Sequence, residues 1–148
     1  MKIRNATEKD LAGIAVLITR FVSEVPTWGL VKRTENDLNQ LDKQLIWVVE
    51  DNKRLIGYAI CLPRENDGSS IYSQGDKILE IDEIYIASEA RGKGIGSQLL
   101  KMIENSARVQ DYTKLFVYSS VKDINPPLKF YRDNGFKTWA VQLFKEID

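Results

Sequence analysis

The stretch Ile84-Tyr85-Ile86-Ala87-Ser88-Glu89-Ala90-Arg91-Gly92-Lys93-Gly94-Ile95-Gly96-Ser97-Gln98-Leu99-Leu100 constrains the fold of this chain more than any other. A β-branched and aromatic run ends, three glycines follow at alternate positions beside two cations, and an amphipathic segment begins. That order predicts a strand, a tight turn and a helix from Gly94 to Val109, with Ile95, Leu99, Leu100 and Ile103 facing inward. The first N–H groups of a helix lack partners within it, and the helix dipole adds positive potential at the same end. Such a turn favours an anion, phosphate above all. Gly92, Gly94 and Gly96 permit the sharp turn and a close approach of ligand to backbone, while Arg91 and Lys93 add charge. The segment therefore points to a phosphorylated ligand.

The chain has 148 residues, enough for one domain over 1–148 that buries roughly 70% of its extended surface. Lys plus Arg and Asp plus Glu both number 21. No global field therefore selects nucleic acid or an anionic membrane. No apolar run approaches the roughly 18 residues of a membrane span, and Met1-Lys2-Ile3-Arg4-Asn5 lacks the apolar core of a signal peptide. A cytoplasmic protein is expected. The sequence contains no histidine, which excludes Ser-His-Asp and Cys-His pairs and imidazole metal ligands. The one cysteine, Cys61, lies in the apolar run Leu55 to Leu62 and reads as a buried small hydrophobe. No metal site is expected, since no Asp/Glu spacing resembles a calcium loop. Proton transfer falls to Asp, Glu, Tyr, Lys, Cys or water.

Along the chain, Met1 to Ala6 reads as a strand and Thr7-Glu8-Lys9-Asp10 as a capping box ahead of a helix to about Ser23. Pro26, Trp28 and Gly29 break that helix. Thr34-Glu35-Asn36-Asp37 opens a second, shorter helix with Leu38, Leu41 and Leu45 inward. Ile46 to Val49 and Leu55 to Leu62 read as strands joined by the polar turn Glu50 to Lys53. Pro63 to Lys77 is a polar surface loop with room for a small strand near Ile71-Tyr72. Strands follow at Ile78 to Ile86 and Lys114 to Val121, a short helix at Pro127 to Asn134 stopped by Gly135, and a closing strand at Phe136 to Phe144. The order implies an α/β (α+β) domain built on a single mixed central sheet flanked by helices, with one parallel crossover.

Within Ile78-Leu79-Glu80-Ile81-Asp82-Glu83-Ile84-Tyr85-Ile86 the period of two slips. Leu79 and Ile81 share one parity, Ile84 and Ile86 the other. Either a β-bulge near Asp82 and Glu83 inserts one residue, or both faces of the strand are buried and parity carries little information. A bulge would splay the strand and leave backbone groups for an extended ligand. The glycine turn fits neither of two familiar nucleotide patterns. It lacks the G-x-x-x-x-G-K-[ST] spacing, and its glycines at 92, 94 and 96 miss Gly-x-Gly-x-x-Gly.

Arg91-x-x-Gly94-x-Gly96 ahead of a helix resembles the acetyl-CoA pyrophosphate loop of the GCN5-related N-acetyltransferase (GNAT) superfamily, [RQ]-x-x-G-x-[GA]. Tyr131-Arg132-Asp133-Asn134-Gly135-Phe136, forty residues on, is similar to a second family motif, and the element order matches over essentially the whole chain. One departure is Asn125-Pro126-Pro127-Leu128-Lys129-Phe130, about one residue tighter than the family's asparagine-to-tyrosine spacing.

The resemblance implies acetyl-CoA as cosubstrate and transfer of acetyl to a primary amine by direct attack in a ternary complex. Amides from Arg91 through Gly92, Lys93, Gly94, Ile95 and Gly96 to Ser97 would bind the pyrophosphate. The backbone of Ile84, Tyr85 and Ile86 would pair with the pantetheine arm, with Asn125 nearby. It also implies Tyr131 as the general acid for the leaving thiolate. Glu80, Asp82 and Glu83 are the only acid cluster beside that strand; Glu83 is the first candidate base and Glu80 the second. Equally, these acids only attract a cationic acceptor and water takes the proton. Glu24, Trp28 and Asp82 are expected at the acceptor, a polyamine, aminosugar or protein amine. Trp139, Val141, Leu143 and Phe144 supply more apolar surface than one core needs, in keeping with a homodimer. A CoA-binding sensor without turnover is the alternative; nucleic acid and membrane partners are not expected.

Overall fold

A computed structural model describes residues 1–24, 27 and 31–147. Five strands form one sheet in the order β1 (Lys2–Asn5), β2 (Ile46–Asp51), β3 (Arg54–Arg64), β4 (Ile78–Ile86) and β5 (Lys114–Val117). The first four pair antiparallel and β5 joins β4 in parallel. The β2–β3 hairpin turns on Asn52 and Lys53, both with positive φ (48° and 62°). That is the conformation a two-residue loop needs to follow the strand twist. α1 (Leu11–Glu24) and α2 (Glu35–Asn39) cover one face, α3 (Ile95–Val109) the other, and α4 (Asn125–Asp133) follows β5. None of the described helices is long and apolar enough to cross a membrane.

The apolar stripes read from the sequence sort cleanly between the two faces. Ile14, Ile18 and Leu38 pack with Val48, Tyr58 and Ile60 on one side, whereas Ile95, Leu99 and Ile103 pack with Leu79 and Ile81 on the other. Both Thr-x-x-Asp signals cap helix starts. The Asp10 carboxylate accepts from the N–H and hydroxyl of Thr7, and Thr34 exchanges hydrogen bonds with Asp37. The first of these opens a 3-10 turn, Glu8–Asp10, that runs into α1.

Four expectations change. The strand from Lys114 stops at Val117, and Val121 makes only an isolated bridge to Thr27. Ile71-Tyr72 lies in a turn closed by the Tyr72 N–H on Ser69. Leu41 and Leu45 fall beyond α2, Leu45 in a separate 3-10 turn. Residues 136–144 form no strand, although Trp139, Val141 and Leu143 alternate. Alternation makes a strand only where a ladder partner exists. Here side chains of the segment reach β5 and its extension, Trp139 on Phe116 and Gln142 on Tyr118. Trp139 is 47% exposed and Leu143 88%.

Candidate active site

The phase slip in β4 is a bulge. Ile60 opposes Glu83 and Cys61 opposes Ile81, so Asp82 is an extra residue with no counterpart on β3. Leu79, Ile81, Ile84 and Ile86 thereby all face α3, as their packing shows, while Glu83 and Tyr85 turn to the α1 face. β4 pairs with β5 only as far as Ile81 and Val117. Beyond the bulge β4 keeps β3 alone, and the two parallel strands part. A bulge bends its strand and strengthens the local twist, which is why the sheet opens there.

The notch leads to the glycine turn. Gly92 (φ 74°) and Gly94 (φ 73°) are both left-handed, a conformation that an L side chain adopts only at a cost, and a Cβ at either would meet nothing within 4 Å. Gly94 caps α3 without any side-chain hydrogen bond, and the first intrahelical bond runs from the Gln98 N–H to the Gly94 carbonyl. The amides of Ile95, Gly96 and Ser97 are therefore without intrahelical acceptors and face an open cradle. Gly96 serves differently: a Cβ there would sit 3.1 Å from the Phe130 ring of α4. Its smallness lets α4 close on α3 rather than making room for a ligand.

A cleft of about 840 Å³ joins these parts. Its wall includes Glu24, Asp82, Glu83, Ile84, Ile86, Arg91, Gly92, Gly94, Ile95, Gly96, Ser97 and Tyr131. On the far side run Val117 to Asp123, and Pro126, Pro127 and Phe130. Glu80, Tyr85, Lys93 and Asn125 are not on that wall. Glu80 pairs with Arg64 at 2.9 Å, and Lys93 reaches back to the Glu89 carbonyl. Tyr85 points to the α1 face, where its hydroxyl donates to Glu24 at 2.7 Å. Asn125 starts α4 with its side-chain amide on Asp123. Trp28 lies outside the described residues.

Two side chains are engaged differently from expectation. The Arg91 guanidinium donates to the Ile86 carbonyl (2.8 Å), pairs with Glu24 (2.6 Å) and covers the Tyr85 ring. It braces the turn against β4 and α1 instead of standing free for an anion. Glu24 is the other half of that brace, held below the usual carboxylate range first by the Tyr85 hydroxyl and then by Arg91. Arg20 extends the brace to Glu89 at 2.8 Å.

Glu83 is 5% exposed. Its Oε2 accepts from the hydroxyl of fully buried Tyr58 at 2.8 Å, and its Oε1 accepts from Arg33. Burial pushes its carboxyl up, against the pull of Tyr58 and Arg33. Tyr131 is set by the helix stop that follows it. The Phe136 N–H returns to the Tyr131 carbonyl (3.0 Å) and the Gly135 N–H to Arg132 (3.0 Å), with Gly135 at φ 86°. This Schellman turn gives the Tyr-x-x-x-Gly-Phe spacing its physical meaning. The Tyr131 ring stands between Phe130 and Phe136, at 5.1 and 5.4 Å between centroids. A tyrosine hydroxyl is protonated at neutral pH at its ordinary value, and burial raises this one further. Neither Tyr58 nor the pairing of Arg33 with these acids was read from the sequence. The available signal was two adjacent acids on a buried strand, which demand a cation and a donor from elsewhere.

A sheet opened beside an uncapped helix start offers a place for an extended anionic ligand, with a buried carboxylate and a protonated phenol on its wall. The chain belongs to the GNAT acetyltransferase family: the model of the acetyltransferase (GNAT) domain matches residues 42–138. It is 29% identical over 91 residues to N-acetyltransferase 8B of Rattus norvegicus, a match that spans 62% of this chain and 38% of that relative's length. Among solved structures, the aminoglycoside N-acetyltransferase AAC(6')-Iy in complex with CoA superposes with a TM-score of 0.75 at 14% identity, covering 99% of both chains. A ribosomal-protein-alanine N-acetyltransferase from Brucella melitensis gives 0.74 at 25% identity, covering 93% of this chain and 85% of that one.

Proposed function

We propose that the chain is an acetyl-CoA-dependent N-acetyltransferase that passes an acetyl group to a primary amine by direct attack in a ternary complex. The observation that carries this reading is the bulge at Asp82, which frees the edge of β4 next to the uncapped amides of α3. The parts suit the cosubstrate: the open space at Gly92 and Gly94 and the amides of Ile95 to Ser97 fit its pyrophosphate, and the freed edge at Ile84 to Ile86 fits its amide-bearing arm. When bound, acetyl-CoA supplies the thioester carbonyl that is attacked.

The rest is proton management by this chain. An alkylammonium has no lone pair, so a proton must leave before attack. Glu83 is the acceptor for that proton at its carboxylate, directly or through water, from its place on the cleft wall. Glu80, paired with Arg64 away from the cleft, is not given that role. The Tyr131 hydroxyl, protonated at neutral pH and on the cleft wall, is the donor for the leaving sulfur. The acceptor is a primary amine of a small molecule or a protein. A CoA-release assay over polyamines, aminosugars, lysine peptides and peptides with free N-termini tests the reading. Release with one class, lost on removing acetyl-CoA, is expected; no release with any of them, together with no CoA binding by calorimetry, refutes it. We further propose a homodimer built on the exposed Trp139, Val141, Leu143 and Phe144, which sedimentation at the mass of one 16.9 kDa chain would exclude.

A further inference from the structure

We propose that Arg33 is a positioning residue for the acceptor end of the cleft: it pins the Asp82 bulge and holds Glu83 as a carboxylate on the cleft wall. Consecutive residues of a regular strand point to opposite faces, so no single side chain can hold both. The extra residue in β4 changes this. One guanidinium reaches both acids, with Nη2 2.7 Å from Asp82 Oδ2 and Nη1 donating to Glu83 Oε1. A fork of this kind is a geometric specification as well as a charge pair.

Arg33 does its work from outside the ligand's space. Asp82 and Glu83 line the cleft and Arg33 does not. Its place is fixed by the residue that follows: Thr34 caps α2 and, with Asp37, closes a reciprocal box, while Leu38 one turn on is fully buried. The segment that carries the guanidinium is thus tied to the α1 face of the sheet. The titratable and charged groups acting on Glu83 are Tyr58 from β3, Asp82 from β4 and Arg33 from the segment before α2. Tyr58 donates one hydrogen bond, and Asp82 opposes ionisation by like charge. The cation among them is Arg33. A side chain as buried as that of Glu83 (3% exposed) stays ionised only when paired.

The inference rests on the proposed role of Glu83 for its catalytic half, and the experiment separates the two. The Glu83 carboxyl carbon is followed by ¹³C NMR against pH in wild type, R33Q and R33K, its resonance identified by its loss in E83Q. The pH profile of kcat/KM is taken on the same proteins. Gln keeps polar atoms near both acids and removes the charge, so the Glu83 midpoint should rise by about 1–3 pH units. Lys restores charge without the fork and should fall between R33Q and wild type. The acid limb of kcat/KM should move with the midpoint. An unmoved midpoint in R33Q overturns the proposal whether or not the protein turns over. A moved midpoint with an unmoved rate limb refutes Glu83 as the base, and with it the catalytic half. Should R33Q fail to fold, R33K decides: a wild-type midpoint there overturns the forked role.

Discussion

Replacing Gly94 with alanine separates the conformational use of that glycine from its use as ligand space. At φ 73° a Cβ is strained whatever surrounds it, and the left-handed conformation costs an L residue roughly 1–2 kcal/mol. G94A should therefore lower the free energy of unfolding by about that amount, with a Tm lower by roughly 2–4 °C for each kcal/mol. Nothing lies within 4 Å of the new methyl in the free protein, so no packing loss adds to it. The same methyl stands in the cradle beside the uncapped amides, where a pyrophosphate would sit. CoA affinity should fall at least about tenfold, about 1.4 kcal/mol. Gly75 provides the control. It has φ 85° and equally open surroundings, but it lies in the loop between β3 and β4, off the cleft wall. G75A should show a similar backbone cost by urea denaturation and an unchanged Kd for CoA by calorimetry. Equal CoA affinity in wild type and G94A would refute the assignment of this turn to the pyrophosphate. An equal loss in G75A would show that the effect is global.

Y131F should reduce kcat by about 10² with little change in the KM for acetyl-CoA, because a proton donor to the leaving group matters only as charge develops on sulfur; steady-state kinetics with kcat within about twofold of wild type would remove Tyr131 as the acid. Asp10 links stability to pH: its carboxyl is lowered from 3.8 to about 2, first by the hydrogen bond from Arg4 (2.8 Å). A depressed folded-state value stabilises above the unfolded one, so a contribution of about 2 kcal/mol is complete above about pH 4 and is lost as pH falls through about 2. Urea melts of wild type and D10N from pH 2 to 7 should converge at the acid end, and equal stability at pH 7 would refute the pairing.

The fold was legible wherever one local rule decided the outcome. Period-3.6 stripes gave α1 and α3 their inward faces, Thr-x-x-Asp marked both helix starts, and the polar turn before Leu55 closed the hairpin. The C-terminal segment was misread because alternation at Trp139, Val141 and Leu143 says nothing about whether a neighbouring edge will pair with it. The site shows the same division. The backbone geometry of the glycine turn was legible because left-handed glycines ahead of a helix start follow from local sequence, whereas the engagement of Arg91 was not, since Glu24, to which it is tied, lies 67 residues earlier.

The bulge joins both cases. Its position followed from parity within nine residues of β4, but parity cannot say what pairs with two adjacent acids, one of them buried. That answer needed Arg33, 50 residues before Glu83, and Tyr58 from the neighbouring strand. The single inserted residue parts β4 from β5, and it also brings Asp82 and Glu83 within reach of one guanidinium. On the proposed reading, the place for the acyl donor and the electrostatics of the acceptor end both depend on this one backbone irregularity. Loosening Arg33 should disturb both together, whereas a mutation in the glycine turn should disturb only the first.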